Sequence, residues 1–260
     1  MRVEHIGEGE PELAILGAVH GDELCGVHAI EALLDEDPDV QKPVKCIIAN
    51  EPAVEQHVRY IDTDLNRVFP GDPAAETYEP RLAYRLQAEL EGCTTLSMHS
   101  TQSDGRPFAI VDETGELAET ICPQLSVAAV VEAADEFPHA LVHHVDVVEV
   151  ECGLQGTEQA ADNAEQLVWE FLAATGALSD RSEPSERALP VLSLKRLIPK
   201  PDGGSYEVHV ENFDRVEKGA VVATVDGEEI TATESCYPVL VSEHGYDQRF
   251  GYTAELIDQW

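Results

Sequence analysis

The sequence predicts an α/β fold: a central mixed, largely parallel sheet flanked by helices, followed by a smaller C-terminal β domain. Three observations predict it. Short apolar runs alternate with stretches of helical period as far as Leu178. The polar stretch Ser179–Pro190, with two prolines, then reads as a linker or long loop. Beyond it come only short β-type runs separated by turn residues. Strands alternating with helices imply a sheet that is parallel at least in part.

Taken in order, Leu13–Val19 is a continuous apolar run and reads as a buried strand. Leu24, Val27, Ile30 and Leu34 follow at helical spacing. Val44–Ala49 is a second strand, ending at Asn50, and Leu82, Leu86 and Leu90 mark a helix closed by Gly92. Thr94–Met98 leads into His99, Pro107–Val111 is another strand, and Val145–Val150 leads into Glu151. The clearest helix runs from Thr157 to Ala174, with Ala164, Leu167, Val168, Phe171 and Leu172 on one face and Gly176 as its cap. After the linker, Val191–Ile198, Tyr206–Val210, Val221–Val225, Glu229–Thr233 and Val239–Val241 are β-type runs, with turns at Asp202-Gly203-Gly204 and Asp226-Gly227-Glu228. The expected division is residues 1–178 and 179–260, without internal repeats or low-complexity tracts.

Composition narrows the function. A formal charge of −35, from 51 acidic and 16 basic residues, argues against nucleic acid or an anionic membrane as partner. The acidity is spread along the whole chain, as suits a folded surface in concentrated salt. No run is long enough to span a membrane, and the N-terminus lacks a signal-peptide core. Six scattered cysteines with no Cys-x-x-Cys pair favour a reduced, cytoplasmic protein; Cys25 and Cys152 read as small packing residues.

The most constraining feature is His20-Gly21-Asp22-Glu23, placed directly after the first strand. An imidazole and a carboxylate there can converge on one cation at the strand end, where open α/β sheets place their ligands. Zn²⁺ needs a third protein ligand before it can hold a reactive water. His5 with Glu8 and His28 with Glu31 repeat the spacing, but neither pair straddles a strand end, and both histidines read as solvated surface. His99, at another strand end, offers the missing ligand, although such a histidine is as readily a packed core residue. Asn50 and Glu151 also stand at strand ends. Between them, Arg59 to Arg67 holds two arginines and an asparagine that can bind carboxylates, or a loop of local Arg–Asp pairs.

The series His20-Gly21-Asp22-Glu23, then Asn50 followed by Arg59 to Pro70, then a strand ending in His99, then Glu151-Cys152-Gly153, resembles the succinylglutamate desuccinylase/aspartoacylase family of zinc carboxypeptidase-like hydrolases. Val222–Tyr246 is similar to the C-terminal β segment of aspartoacylase. The shared motifs cover residues 14–70, 96–101, 149–161 and 219–250. The resemblance implies a zinc carboxypeptidase-like architecture and one Zn²⁺ per chain on His20, Glu23 and His99. It makes Glu151 the catalytic carboxylate and Arg59 the group that polarises the scissile carbonyl. Asn66 and Arg67 match the grip on the substrate α-carboxylate, Tyr246 a substrate-contacting tyrosine, and Asn50 and Asp64 supporting polar positions of the substrate site. Glu149 competes with Glu151, and the Glu-x-Gly pattern selects Glu151.

Two positions depart from the pattern. Phe137–Val150 holds His139, His143 and His144 but no arginine, where aspartoacylase grips the aspartate side chain. Asp22 stands where many relatives have asparagine. The implied function is a zinc-dependent amidohydrolase that deacylates a small N-acyl amino acid bearing a free carboxylate, releasing a carboxylate and a free amino acid. The alternatives are a carboxypeptidase-like peptidase or ester hydrolase using the same zinc site and, from another class, a non-catalytic metal- or ligand-binding protein. Homo-oligomerisation is left open.

Overall fold

Alternation along the apolar strands decides the layers. The computed structural model describes residues 1–133, 136–179 and 188–260, so most of the expected linker Ser179–Pro190 lies outside the described residues. In chain order the first half contains β1 (Arg2–Ile6), β2 (Leu13–Gly17), α1 (Cys25–Glu36), β3 (Val44–Ile48), α2 (Glu51–Gln56) and α3 (Tyr78–Leu90). Next come β4 (Thr94–Thr101), β5 (Phe108–Val111), α4 (Glu116–Ile121), β6 (Val130–Glu132), β7 (Val147–Leu154) and α5 (Glu158–Ala174). The C-terminal part adds β8 (Pro190–Pro199), β9 (Tyr206–Val208), β10 (Val221–Val225), β11 (Glu228–Thr231), β12 (Tyr237–Val239) and β13 (Arg249–Gln259).

β2 is buried on both faces. Its residues Leu13 and Ile15, with Leu96, Met98, Val148 and Val150, pack under α1 and α5 through Ile30, Leu33, Leu167 and Phe171. Ala14 and Leu16 point the other way and pack with Leu82, Leu86 and Leu90 of α3. The sheet is therefore the middle of three layers, each strand feeding two cores by its period of two. Thr157 caps α5 by accepting from the Ala160 amide at 3.2 Å. At its other end Gly176 takes φ 73° and the Ala177 amide reaches back to the Leu172 carbonyl at 2.8 Å.

The strand order is β1-β3-β2-β4-β7-β5-β6-β8-β13-β12. β3, β2, β4 and β7 are mutually parallel neighbours, whereas β5 runs antiparallel to β7. The sheet is thus mixed and largely parallel, as expected. The C-terminal part does not stand off as a separate β unit throughout. β8 pairs in parallel with β6 and carries β13 and β12 with it, extending the large sheet, and only β9, β10 and β11 form a sheet of their own. Asp226 (φ 51°) and Gly227 (φ 85°) close the β10–β11 hairpin as a two-residue turn of the kind Asp-Gly favours. β13, an 11-residue strand, went unanticipated although Phe250, Tyr252 and Ala254 alternate along its buried half. No helix among the described residues is long and apolar enough to cross a membrane.

Candidate active site

Small residues shape the turn after β2. A side-chain carbon at Gly17 would lie 2.8 Å from the Gly26 carbonyl carbon, so α1 begins in direct contact with the strand end. Ala18 adopts φ 54°, a strained value for a non-glycine residue. Gly21 is pressed against α2, where an added Cβ would come within 2.2 Å of the Ala53 carbonyl carbon. The turn is held further by the Gly21 amide donating to the Arg59 carbonyl at 3.1 Å. His20 and Glu23 are thereby buried side by side.

His99 reaches them from the neighbouring strand. Because β4 and β7 pair in parallel with Ser97 opposite Glu149 and His99 opposite Glu151, all four side chains share one sheet face. Glu23 Oε2 lies 3.0 Å from His99 Nδ1, and Glu23 Oε1 lies 2.9 Å from His20 Nδ1. The His20 contact lacks hydrogen-bond geometry, and that nitrogen is a buried atom with no hydrogen-bond partner. Among the described residues, donor atoms of His20, Glu23 and His99 all lie within 4.8 Å of one another. Zinc bonds of about 2.0–2.1 Å in a tetrahedron put ligand atoms about 3.3 Å apart. The donor set therefore fits Zn²⁺ in both chemistry and spacing.

The outer nitrogens are held as well. His20 Nε2 is 3.0 Å from Asp64 Oδ1, and His99 Nε2 is 3.2 Å from Ser97 Oγ, which leaves the two Nδ1 atoms to face Glu23. Arg59 donates to Glu23 Oε1 at 2.8 Å and to Asp64 Oδ2 at 3.1 Å. Burial opposes charge on His99, but its hydrogen bond to Glu23 and the charges of Glu23, Glu149 and Glu151 outweigh burial and push it up to about 10. Burial likewise opposes charge on Glu23, and its two histidines overcome this and hold it well below the usual carboxylate range. The two histidines thus favour the charged form of Glu23, the form in which a carboxylate binds a metal.

Glu151 behaves differently. Its burial, reinforced by the charge of Glu23, raises it to about 7 against the opposing pull of His99 and His20. Its Oε2 is buried without a hydrogen-bond partner among the described residues, and the residue lines the cleft. Glu149 lines the same cleft, but its Oε1 faces the Asn66 amide at 3.5 Å.

The cleft encloses about 430 Å³ and brings together His20, Glu23, Arg59, Asp64, Asn66, Arg67, His99, Glu151 and Tyr246. A larger space of about 670 Å³ opens near Cys93 and Asp146, at the opposite ends of β4 and β7, without converging metal donors among the described residues. Asn66 Oδ1 accepts from the Leu141 amide at 2.7 Å. Arg67 lies over the Phe137 ring at 4.6 Å, and its guanidinium donates to the Asn66 carbonyl at 2.6 Å. The reading of this loop as local Arg–Asp pairs holds for Arg59 with Asp64, while Arg67 forms no ion pair among the described residues. Burial and the charge of Glu151 push Tyr246 up to about 12, so its hydroxyl keeps its proton. His5 and His28 are exposed, as expected.

Asn50 is the exception among the expected site residues. It is fully buried, accepts from the Ala53 amide at 3.4 Å as the N-cap of α2, and donates to Glu79 at 3.2 Å, away from the cleft. Asn50 therefore does not line the cleft: the turn into α2 carries its side chain underneath, where it supports the site only through Glu79. Two residues escaped the sequence reading altogether. Glu79 looks in sequence like any acid in a first helical turn. Arg249 enters the cleft from β13, stacks on Tyr246 at 4.3 Å, and keeps a buried Nε without a hydrogen-bond partner among the described residues. The legible signal for Arg249 was a cation at the head of an alternating strand.

Fold and donor set together define an α/β domain with a candidate metal site at its strand ends. Residues 9–120 match the Succinylglutamate desuccinylase/Aspartoacylase catalytic domain, and this segment belongs to that family, as its motifs implied. The aspartoacylase of Xenopus tropicalis is 38% identical over 78 residues, which are 29% of this chain and 25% of that protein. The chain thus spans only about a quarter of the length of the curated relatives it matches first. Among solved structures, the ectoine utilization protein EutE (DoeB) from Ruegeria pomeroyi, in a product-bound form, superposes with a TM-score of 0.80 at 21% identity, covering 98% of this chain and 87% of that one. The succinylglutamate desuccinylase/aspartoacylase from Rhodobacter sphaeroides gives 0.78 at 20% identity, covering 99% and 88%. These likenesses establish the fold.

Proposed function

We propose that the protein is a zinc-dependent amidohydrolase that removes the acyl group from a small N-acyl amino acid carrying a free carboxylate. The observation that carries this reading is the partnerless, buried Oε2 of Glu151 in the cleft that His20, Glu23 and His99 line. His20, Glu23 and His99 would hold the metal. When bound, zinc supplies Lewis-acid chemistry, polarising a carbonyl and lowering the pKa of water to about 7.

The chain's own groups account for the rest. Glu151 accepts the proton of the attacking water on Oε2 and returns it to the leaving amine nitrogen. Burial raises the proton affinity of Glu151, the direction that exchange needs. Arg59 opposes the charge growing on the carbonyl oxygen. Arg67, with the Asn66 side-chain amide beside it, takes the α-carboxylate. Tyr246 offers a hydroxyl donor at the far wall. Among the described residues Arg67 and Arg249 form no ion pair, which in a chain with 51 acidic residues leaves two cations for an anionic substrate.

Residues 1–178 would carry this machinery, and residues 179–260 would cap it through Tyr246 and Arg249. A cleft of about 430 Å³ suits a small substrate better than a peptide. The charge of −35 and six free cysteines, all buried, support a reduced, saline cytoplasm as the setting. The test is metal analysis together with a screen of N-acyl amino acids in molar KCl, reading released amine. Turnover of small N-acyl amino acids by a zinc-loaded chain is expected. Release of C-terminal residues from peptides, or turnover of esters alone, would favour the other hydrolase readings, and metal binding without turnover would favour a binding protein.

A further inference from the structure

The loop that carries Arg59, Asp64, Asn66 and Arg67 has little regular structure of its own, only a single 3₁₀ turn at Leu65–Arg67. It is held from beneath by one carboxylate. Glu79, in the first turn of α3, is completely buried. Its Oε1 accepts from the Ile61 amide at 2.7 Å and from Asn50 Nδ2 at 3.2 Å. Its Oε2 accepts from the Asp62 amide at 3.0 Å and the Thr63 amide at 3.2 Å. The contact is reciprocal, since the Tyr78 amide donates to Asp62 Oδ2 at 2.7 Å.

Burying a carboxylate is costly unless hydrogen bonds replace its water. No lysine, arginine or histidine among the described residues pairs with Glu79. Three consecutive backbone N–H groups and one side-chain amide take that place, a concave donor array of the kind that cradles anions, close to the positive end of a helix. Three successive amides converging on one carboxylate fix the backbone of Ile61, Asp62 and Thr63. Asp64 follows directly and holds His20 at 3.0 Å and the Asn66 amide at 2.9 Å. Arg59 stands two residues before the array and Arg67 four residues after it.

We propose that Glu79, steadied by Asn50, is the positioning residue of the substrate-binding loop, setting Asn66 and Arg67 for the substrate carboxylate without touching the substrate. The inference rests on the substrate role given to Asn66 and Arg67 above. Without the array, the loop relaxes while His20, Glu23 and His99 stay on their strand ends and the turn after β2.

The experiment uses the full chain, metal-loaded, in molar KCl. Glu79→Gln preserves shape but turns an amide group toward N–H donors. We expect KM for an N-acyl amino acid to rise about tenfold or more, kcat to change by only a few fold, and bound metal to stay unchanged. Preference for a free α-carboxylate over its methyl ester should narrow. Asn50→Ser keeps an N-cap oxygen for the Ala53 amide but withdraws the fourth donor, and should shift KM the same way by less; it also serves if Glu79→Gln fails to fold. Amide hydrogen exchange at Ile61, Asp62 and Thr63 reads the array without activity and should accelerate in both variants. Unchanged exchange would refute the array. Faster exchange, or a lower melting temperature, with unchanged KM and unchanged ester discrimination would reduce Glu79 to a structural role and overturn the proposal. If the wild-type chain hydrolyses no N-acyl amino acid, the functional reading fails by itself, and binding of a plain N-acyl amino acid by calorimetry replaces KM in the same comparison.

Discussion

The floor and the wall of the cleft are built on different principles. The floor carries His99 and Glu151 on the parallel strands β4 and β7, where sheet register sets each side chain, and His20 and Glu23 in the close-packed turn after β2. The wall, with Arg59, Asp64, Asn66 and Arg67, is an irregular loop positioned by hydrogen bonds from other elements. A strand-borne group keeps its place as long as the sheet does. A loop-borne group keeps its place only while Glu79, Glu23 and Leu141 hold it. Changes in the floor should therefore abolish metal or chemistry, and changes in the wall should act by smaller, graded amounts, on substrate grip at Arg67 and on turnover at Arg59.

The strongest test of that contrast removes a metal donor. His20→Ala or His99→Ala should lose tight zinc binding and with it nearly all activity, because two donors cannot complete the site. His28→Ala, exposed on α1, should keep about one zinc per chain, as measured by elemental analysis. If His28→Ala strips the metal and His20→Ala does not, the floor has been misassigned.

Next in size is the carboxylate at the floor's centre. Glu151→Gln should lower kcat by roughly 10²–10⁴-fold, the range of positioned acid–base catalysis, with zinc content unchanged. Glu149→Gln is the control and should retain most activity, because an amide oxygen can still meet Asn66. A dead Glu149 variant beside an active Glu151 variant would shift the base by one strand repeat.

Within the wall, Arg67→Ala should raise KM by about 10- to 100-fold, the loss of a charge-assisted contact, with kcat little changed. Arg59→Ala should act mainly on kcat, since it meets charge that develops during reaction. Equal turnover of α-methyl esters and free acids by the wild type would remove the grip assigned to Asn66 and Arg67. The smallest effect is global: self-repulsion at −35 weakens as the Debye length falls from about 10 Å at 0.1 M to about 3 Å at 1 M. The melting temperature should rise from dilute buffer to molar KCl, and a flat or falling value would count against a saline setting while leaving floor and wall untouched.

The floor was legible in the sequence because its signals are local. An apolar run followed by His20-Gly21-Asp22-Glu23 marks a buried strand and its ligands in one window, and His99 and Glu151 end or follow runs of the same kind. The helix from Thr157 was legible for a similar reason: its cap residue, apolar face and closing Gly176 are neighbours in the chain. Asn50 shows the limit. Its strand-end position was correctly read, but which way the chain turned after it depended on α2, a six-residue helix with little sequence signature.

What tertiary structure alone decided is which distant residues meet. Periodicity tells how a strand divides its side chains between two faces, and it does so for β2, β4 and β7. It does not tell that β4 and β7 lie side by side with His99 opposite Glu151, that β8 joins the edge of β6, or that β13 brings Arg249 back over the cleft. Nor does it distinguish Glu79, buried against three loop amides, from the exposed acids that crowd this chain. Local propensity and apolar pattern depend on neighbours in sequence, whereas pairing, burial of a charge and the closing of a cleft depend on contacts between residues tens of positions apart.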